Sequence, residues 1–280
     1  MKFIVLLIII FTNDIFSKDV TVSGLENKTP ERFLYIGNSY LYYNDSLHNH
    51  VRRMLEEYYE KDIDRGNYKS VTISGSRLSD HNIEYYLDHK NIRVDGPYEL
   101  VIIQAGSGET DTKSERKIFF NEIDEMIKSI KRYNSEIALY MIHPLIEPNI
   151  DAYPKMLDDV KSAYIKAGNK NNVLVFPVGI AFNEAYIQKP NIVLHKADGS
   201  HPDMLGTYLA ACVIFSSITH KSPKSLKYDY YGVIERGDRD FLQSIAHDTV
   251  EQFYDIKLSF ICVIVINFTM IFLISSNTSN

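Results

Sequence analysis

Two short stretches carry side chains that could act together as a nucleophilic centre. Gly37-Asn38-Ser39 follows the apolar run Phe33 to Ile36, and Asp198-Gly199-Ser200-His201-Pro202 stands near the other end of the polar part of the chain. A serine hydroxyl is a weak nucleophile until a base takes its proton and a third group orients that base. Asp198 and His201, close together on a short loop, can place the carboxylate on one imidazole nitrogen and leave the other facing a serine. The spacing therefore predicts Ser39 as nucleophile, His201 as base and Asp198 as its orienting carboxylate.

The elements that must position these groups alternate. A strand over 33–36 runs through Gly-Asn-Ser into a helix over 46–60, where Leu47, Val51, Met54 and Leu55 recur near helical spacing. Strands are predicted over 70–73, 100–104, 137–142 and 173–178. Helices are predicted over 111–132, with Ile118, Phe119, Ile123, Met126 and Ile127 inward, and over 153–167, 180–186 and 238–254. Another is expected to begin at Pro202. Strands alternating with helices imply right-handed crossovers and a parallel sheet covered on both faces. In such sheets ligands bind beyond the carboxyl ends of the strands, which is where Ser39 falls. His143 follows a predicted strand in the same way and is a candidate to touch substrate. Tyr40, Tyr42 and Tyr43 either wall a pocket beside Ser39 or pack as core.

Gly37-Asn38-Ser39 resembles the first block of the SGNH/GDSL hydrolases, in the subgroup where Gly-Asp-Ser is replaced by Gly-Asn-Ser. Asp198-x-x-His201-Pro202 resembles their last block. Val71-Thr72-Ile73-Ser74-Gly75-Ser76 is similar to the second, in which a strand ends at a glycine whose backbone N–H binds the oxyanion. Glu99 to Gly108 is similar to the third, which usually reads Gly-x-Asn-Asp; here the asparagine's place is taken by Gly108, which has no side-chain donor. The resemblance offers Gln104, at the end of the same strand, as a replacement. Leu78-Ser79-Asp80-His81 matches a Leu-x-x-His of the subgroup and makes His81 a pocket candidate. The implied fold is three-layer α/β/α with a five-stranded parallel, flavodoxin-like sheet. The implied oxyanion hole is the N–H groups of Ser39 and Gly75 with the Gln104 amide.

Composition sets the outer limits. At 280 residues, 45% hydrophobic and 24% charged, the chain can bury one sizeable core. A net charge of -6 and the lack of a dense Lys/Arg run argue against nucleic acid as a partner. Residues 1–17 read as a secretory signal peptide, with Lys2 before the apolar run 3–11. Residues 18–257 form the catalytic domain, and the uncharged run within 258–275 is a candidate C-terminal membrane anchor. Export, to the periplasm, cell surface or extracellular space, follows from these ends. The two cysteines, Cys212 and Cys262, suggest no disulfide framework. Asn27-Lys28-Thr29 and Asn44-Asp45-Ser46 match glycosylation sequons. The histidines lack the paired spacing of a zinc site, and no cofactor is expected.

The expected activity is two-step hydrolysis of a small acyl ester, with O-acetylated saccharide the first choice of substrate. The 20 tyrosines could supply sugar-stacking rings, or reflect composition alone. Two alternatives stand beside it: an O-acyltransferase of the same fold, and a catalytically inactive carbohydrate-binding module at the cell surface.

Overall fold

Five short strands form one parallel sheet in the order β2-β1-β3-β4-β5: β1 Phe33–Gly37, β2 Tyr68–Thr72, β3 Leu100–Ile103, β4 Glu136–Tyr140 and β5 Leu174–Phe176. β1 and β3 are buried at every position, which is why they read as continuous apolar runs rather than alternating ones. β2, at the edge, is mostly half-buried. The computed structural model describes residues 20–146 and 150–261. The predicted signal peptide and all of the predicted anchor beyond residue 261 lie outside the described residues.

From β1 the chain crosses to β2 on one side and then returns past β1 to β3 on the other. The strand order therefore reverses between β1 and β3, and the crevice at their carboxyl ends is the topological switch point of the sheet. The turns after β1, β2 and β3 open into it.

Helices cover the sheet in two layers. α1 (Ser39–Tyr42) and α2 (Leu47–Tyr59) follow β1, and α3 (Ile83–Leu87) follows β2. α4 (Lys113–Lys131) and α5 (Tyr153–Asn171) make the next two crossovers; α6 (Val178–Gln188), α7 (Met204–Thr219) and α8 (Arg236–Tyr254) follow β5. α7 packs on both α2 and α8, and α4 packs against α3 and α5. α7 is buried from Gly206 to Thr219. An all-round apolar helix of this kind must be sandwiched between neighbours.

Several local expectations change. Ile118 is 41% exposed while Phe119, Ile123, Met126 and Ile127 are buried. Adjacent helical positions lie about 100° apart, so Ile118 falls off the stripe that its neighbour Phe119 occupies. Pro202 does not open α7: it forms an isolated antiparallel bridge with His195, and Asp203 caps the helix by accepting the Met204 N–H at 2.8 Å. Leu258 is buried and Ser259 bridges Lys221, its carbonyl accepting from the Ser222 N–H at 2.8 Å, so the first residues of the apolar run belong to the body. Among the described residues no helix is long and apolar enough to cross a membrane.

Candidate active site

Each residue of Gly37-Asn38-Ser39 has a separate physical reason. A Cβ on Gly37 would lie 2.3 Å from Gln104 Oε1, so only glycine lets β1 run this close to the end of β3. Asn38 caps α1, its Oδ1 accepting the Tyr40 N–H at 3.2 Å, while its Nδ2 donates to the Ser76 carbonyl at 3.2 Å. That second bond ties the turn after β1 to the turn after β2. Ser39 opens α1 and is 6% exposed.

The loop after α6 brings the other two groups. Ser39 Oγ lies 2.9 Å from His201 Nε2, and His201 Nδ1 lies 2.7 Å from Asp198 Oδ2. A carboxylate can only accept, so Nδ1 carries the ring proton and the lone pair of Nε2 faces the Ser39 hydroxyl. Asp198 Oδ1 also accepts the N–H groups of Ser200 and His201, both at 2.9 Å. The hydrogen bond from the His201 side chain, then those two backbone donors, hold the Asp198 carboxyl far below the usual carboxylate range. Around neutrality it is therefore an anion aimed at the imidazole.

Backbone bonds close this loop on itself and on the body. Lys196 N–H donates to the His201 carbonyl at 2.8 Å, and Gly199 N–H to the Lys196 carbonyl at 2.9 Å. Ile146 N–H, beyond β4, donates to the Gly199 carbonyl at 2.9 Å. His195 anchors the base of the loop: its Nε2 lies 3.1 Å from the Pro144 carbonyl and 2.9 Å from His143 Nδ1. Since the carbonyl accepts, Nε2 carries the proton, and Nδ1 accepts the Tyr186 hydroxyl at 2.7 Å. Burial pushes His195 down to about 4 and His143 well below the ordinary histidine range, so both rings are neutral at neutral pH.

Ser39 and His201 face a cavity of about 560 Å³ that also contains Gly75, Ser76, Ser107 and Ser200 in its walls. Gly75 sits at φ +65°, a left-handed turn that presents backbone rather than side chain. The opposite wall comes from the segment after β3 and is acidic: Glu109, Asp111 and Glu115 line it with Arg77. Arg77 is held by Glu115 at 2.7 Å and lies 4.0 Å from Glu122. Glu109 is 2% exposed and accepts the Gly106 N–H at 2.7 Å. Burial, aided by the neighbouring charge of Glu122 and opposed by that N–H, pushes its carboxyl up to about 7. Among the described residues no group of three or more His, Cys, Asp or Glu is placed to hold a metal ion.

The remaining predicted site residues fall around this centre rather than in it. Gln104 does not line the cavity: its Oε1 accepts the Asn38 N–H at 2.8 Å and its Nε2 donates to the Ala105 carbonyl. Its amide is thus spent on holding the turn that carries Ser39, and Gly108 in the cavity wall adds no side chain. His81 bonds Ser76 Oγ at 3.1 Å from behind the wall. His143 is buried between Phe182 and Tyr40, with ring centroids at 4.4 and 4.6 Å. Tyr40 is 4% exposed yet lines the cavity, its hydroxyl 3.1 Å from Ser200 Oγ. Tyr43 packs on the His201 ring at 4.7 Å, with the Lys196 ammonium 5.1 Å from its own ring centre. Sequence reasoning passed over His195, Glu109 and Arg77. Only the place of His195 just before the Asp-x-x-His loop offered a local signal.

No family model matches the chain, and none of the curated proteins compared with it does. Solved structures do match. A DUF4886 family protein from Bacteroides uniformis superposes with a TM-score of 0.61 at 17% identity, covering 78% of this chain and 94% of its own. A candidate SGNH hydrolase from Slackia heliotrinireducens gives 0.51 at 20%, covering 68% and 99%. The fold is that of the SGNH hydrolases. A catalytic mutant of the acetylxylan esterase Axe2 from Geobacillus stearothermophilus shares it, with a TM-score of 0.53 at 16% identity over 69% of this chain and 96% of its own. The five-stranded parallel sheet expected from the sequence is the one observed.

Proposed function

We propose that the protein is a serine esterase that removes small acyl groups, and O-acetyl groups on carbohydrate in particular. The observation that carries this reading is the unbroken chain from Ser39 Oγ through both nitrogens of His201 to Asp198, at the wall of a cavity lined mostly by polar and glycine residues. His201 Nε2 takes the Ser39 proton as Oγ attacks the ester carbonyl, and Asp198 stabilises the imidazolium that forms. The N–H groups of Ser39 and Gly75 meet the oxyanion. Collapse expels the alcohol, which receives its proton from His201. Water, deprotonated by the same imidazole, then releases the acid and restores Ser39.

The cavity walls support a polar, uncharged substrate. Serines and glycines line one side; on the other, Arg77 is already paired with Glu115, and Asp111 and Glu109 add acidic groups. No aliphatic side chain stands in these walls to grip a fatty acyl chain, and an anionic sugar would meet carboxylates. The structural neighbour Axe2 is an acetylxylan esterase, and an acetylated neutral saccharide fits these walls. Export by residues 1–17, with anchoring by the run beyond residue 261, belongs to the same reading.

One feature favours a second reading. Gly108 carries no side-chain amide and Gln104 is engaged elsewhere, so of the donors expected from the sequence the Ser39 and Gly75 backbone N–H groups are left for the oxyanion. A carbohydrate-binding module that has lost catalysis would have no need of a third. Turnover of an aryl acetate by the full chain, beside Ser39→Ala and with a fluorophosphonate label, separates the two. An active, labelled parent and a silent variant are expected; a folded parent that binds acetylated saccharide but neither turns over nor labels would move the binding module ahead.

A further inference from the structure

Asn44 lies two residues beyond α1, in a turn that the chemistry above does not use. Asn44, Asp45 and Ser46 stand at φ +55°, +66° and +62°, three successive residues in the left-handed region with side chains attached. Such a run is disfavoured and persists where surrounding contacts over-determine it. Those contacts are present. The Asn44 carbonyl lies 2.7 Å from His50 Nε2, which must therefore carry the ring proton, and His50 Nδ1 accepts the Tyr228 hydroxyl at 2.9 Å. Asp45 is paired with Arg53 at 2.7 Å, and Ser46 Oγ donates to the Tyr42 carbonyl at 3.2 Å.

What this framework aims is the Asn44 amide. Nδ2 donates to the Pro202 carbonyl at 2.9 Å and to Thr207 Oγ1 at 2.8 Å. Pro202 is the residue after His201, and Thr207 lies in the first turns of α7. The amide therefore joins the segment leaving Ser39 to the segment carrying His201. Two other bonds cross the same gap, Ser39–His201 and Tyr40–Ser200. The first is the reacting contact, and it is lost once Ser39 Oγ is acylated. The bonds that remain across the gap must then keep His201 in register with Ser39 for the water step.

We propose that Asn44 is a positioning residue that latches the nucleophile segment to the His201 loop, so that Ser39 Oγ and His201 Nε2 stay in register through both half-reactions. The proposal rests on the esterase reading. It also means that the acceptor nitrogen of the Asn44-Asp45-Ser46 sequon is occupied in the folded protein, and that a glycan there would open the latch.

Two variants separate the amide from the backbone. Asn44→Gly suits the left-handed turn and deletes the amide; Asn44→Asp keeps the size but turns an acceptor oxygen toward the Pro202 carbonyl. Both are expected to lower kcat on an aryl acetate by roughly ten-fold or more with KM nearly unchanged, as for a small misplacement of reacting groups. Both should also displace the His201 Nδ1 proton resonance, while Asn44→Gly keeps the parent's melting temperature. Thr207→Val removes one of the two acceptors and should give a smaller drop in kcat, a readout that stands if Asn44→Gly does not fold. Parent-like kcat and an unmoved His201 resonance in Asn44→Gly would overturn the latch while leaving the esterase intact. Should the parent itself neither turn over nor label, the esterase reading falls and takes the latch with it, an outcome distinct from an active parent matched by Asn44→Gly.

Discussion

The two halves of the candidate triad are held by different physics. Ser39 is 6% exposed, at the end of a fully buried strand, and its turn is fixed from inside by the Asn38 cap and the Gln104 amide. The Asp198 side chain is 48% exposed, on a loop with no strand or helix of its own. Hydrogen bonds hold that loop: its own backbone, the His195 ring against Pro144, the Ile146–Gly199 bond and the Asn44 amide. The difference teaches where disturbance should be felt. Changes beneath Ser39 should cost stability and rate together, whereas changes in the Asp198–His201 loop should cost rate with the fold intact.

The largest effect tests the chemistry common to both halves. Ser39→Ala should lower kcat by about 10⁶-fold, as nucleophile removal does in other serine hydrolases, with no loss in melting temperature. Residual turnover within about a hundred-fold of the parent would point to another nucleophile.

Asp198→Asn should cost about 10⁴-fold in kcat, because an amide no longer fixes the His201 tautomer. Its effect on stability depends on pH. The folded carboxyl is held below its unfolded value, so its stabilising contribution is present above the ordinary carboxylate range and is lost as pH falls through the folded value. The difference in melting temperature between parent and variant should thus be flat from neutrality down to mild acid and narrow only in strong acid. A difference that vanishes already near pH 5 would sink the assigned hydrogen bonds.

Gln104→Ala breaks the buried half. It strips the acceptor from the Asn38 N–H and should cost roughly 1–3 kcal/mol in denaturant unfolding, with a drop in kcat from the loosened turn. If unfolding were unchanged while kcat fell by about 10²–10³-fold, Gln104 would instead be an oxyanion donor.

The smallest effect sharpens the contrast on the acidic wall. Glu109 is raised to about 7, above its unfolded value, so the folded state binds the extra proton and stability declines as pH rises from the ordinary carboxylate range through 7. Glu109→Gln keeps an acceptor for the Gly106 N–H and removes the titration. It should flatten that decline and be more stable than the parent above pH 7, by roughly 1–3 kcal/mol. An identical pH profile in both proteins would show that Glu109 is ionised without cost.

How much was legible follows the same division. The apolar runs of β1 and β3, the α2 stripe and the alternation of strands and helices are local or periodic features, and they led directly to the five-stranded sheet. Ser39, Asp198 and His201 were singled out by type and spacing, and the structure brings them together. Gln104 stands just past the right strand, and the family resemblance points to it. Its side chain turns toward Asn38, and a strand position does not specify which neighbour an amide will satisfy. His143 lies three residues beyond β4 but is buried behind Tyr40, because the sheet edge there is covered by α6 and the Asp198–His201 loop.

By itself the sequence determined the order of the elements and the residue types with the needed chemistry, since both are written in hydrophobic period and short motifs. Only the tertiary structure decided which polar groups share a bond. Asn44 reaches Pro202, Gln104 reaches Asn38, and Glu109 is buried enough to hold its proton near neutrality. Hydrogen bonds and desolvation act over a few ångströms between residues far apart in the chain, and that proximity exists only once the chain has folded.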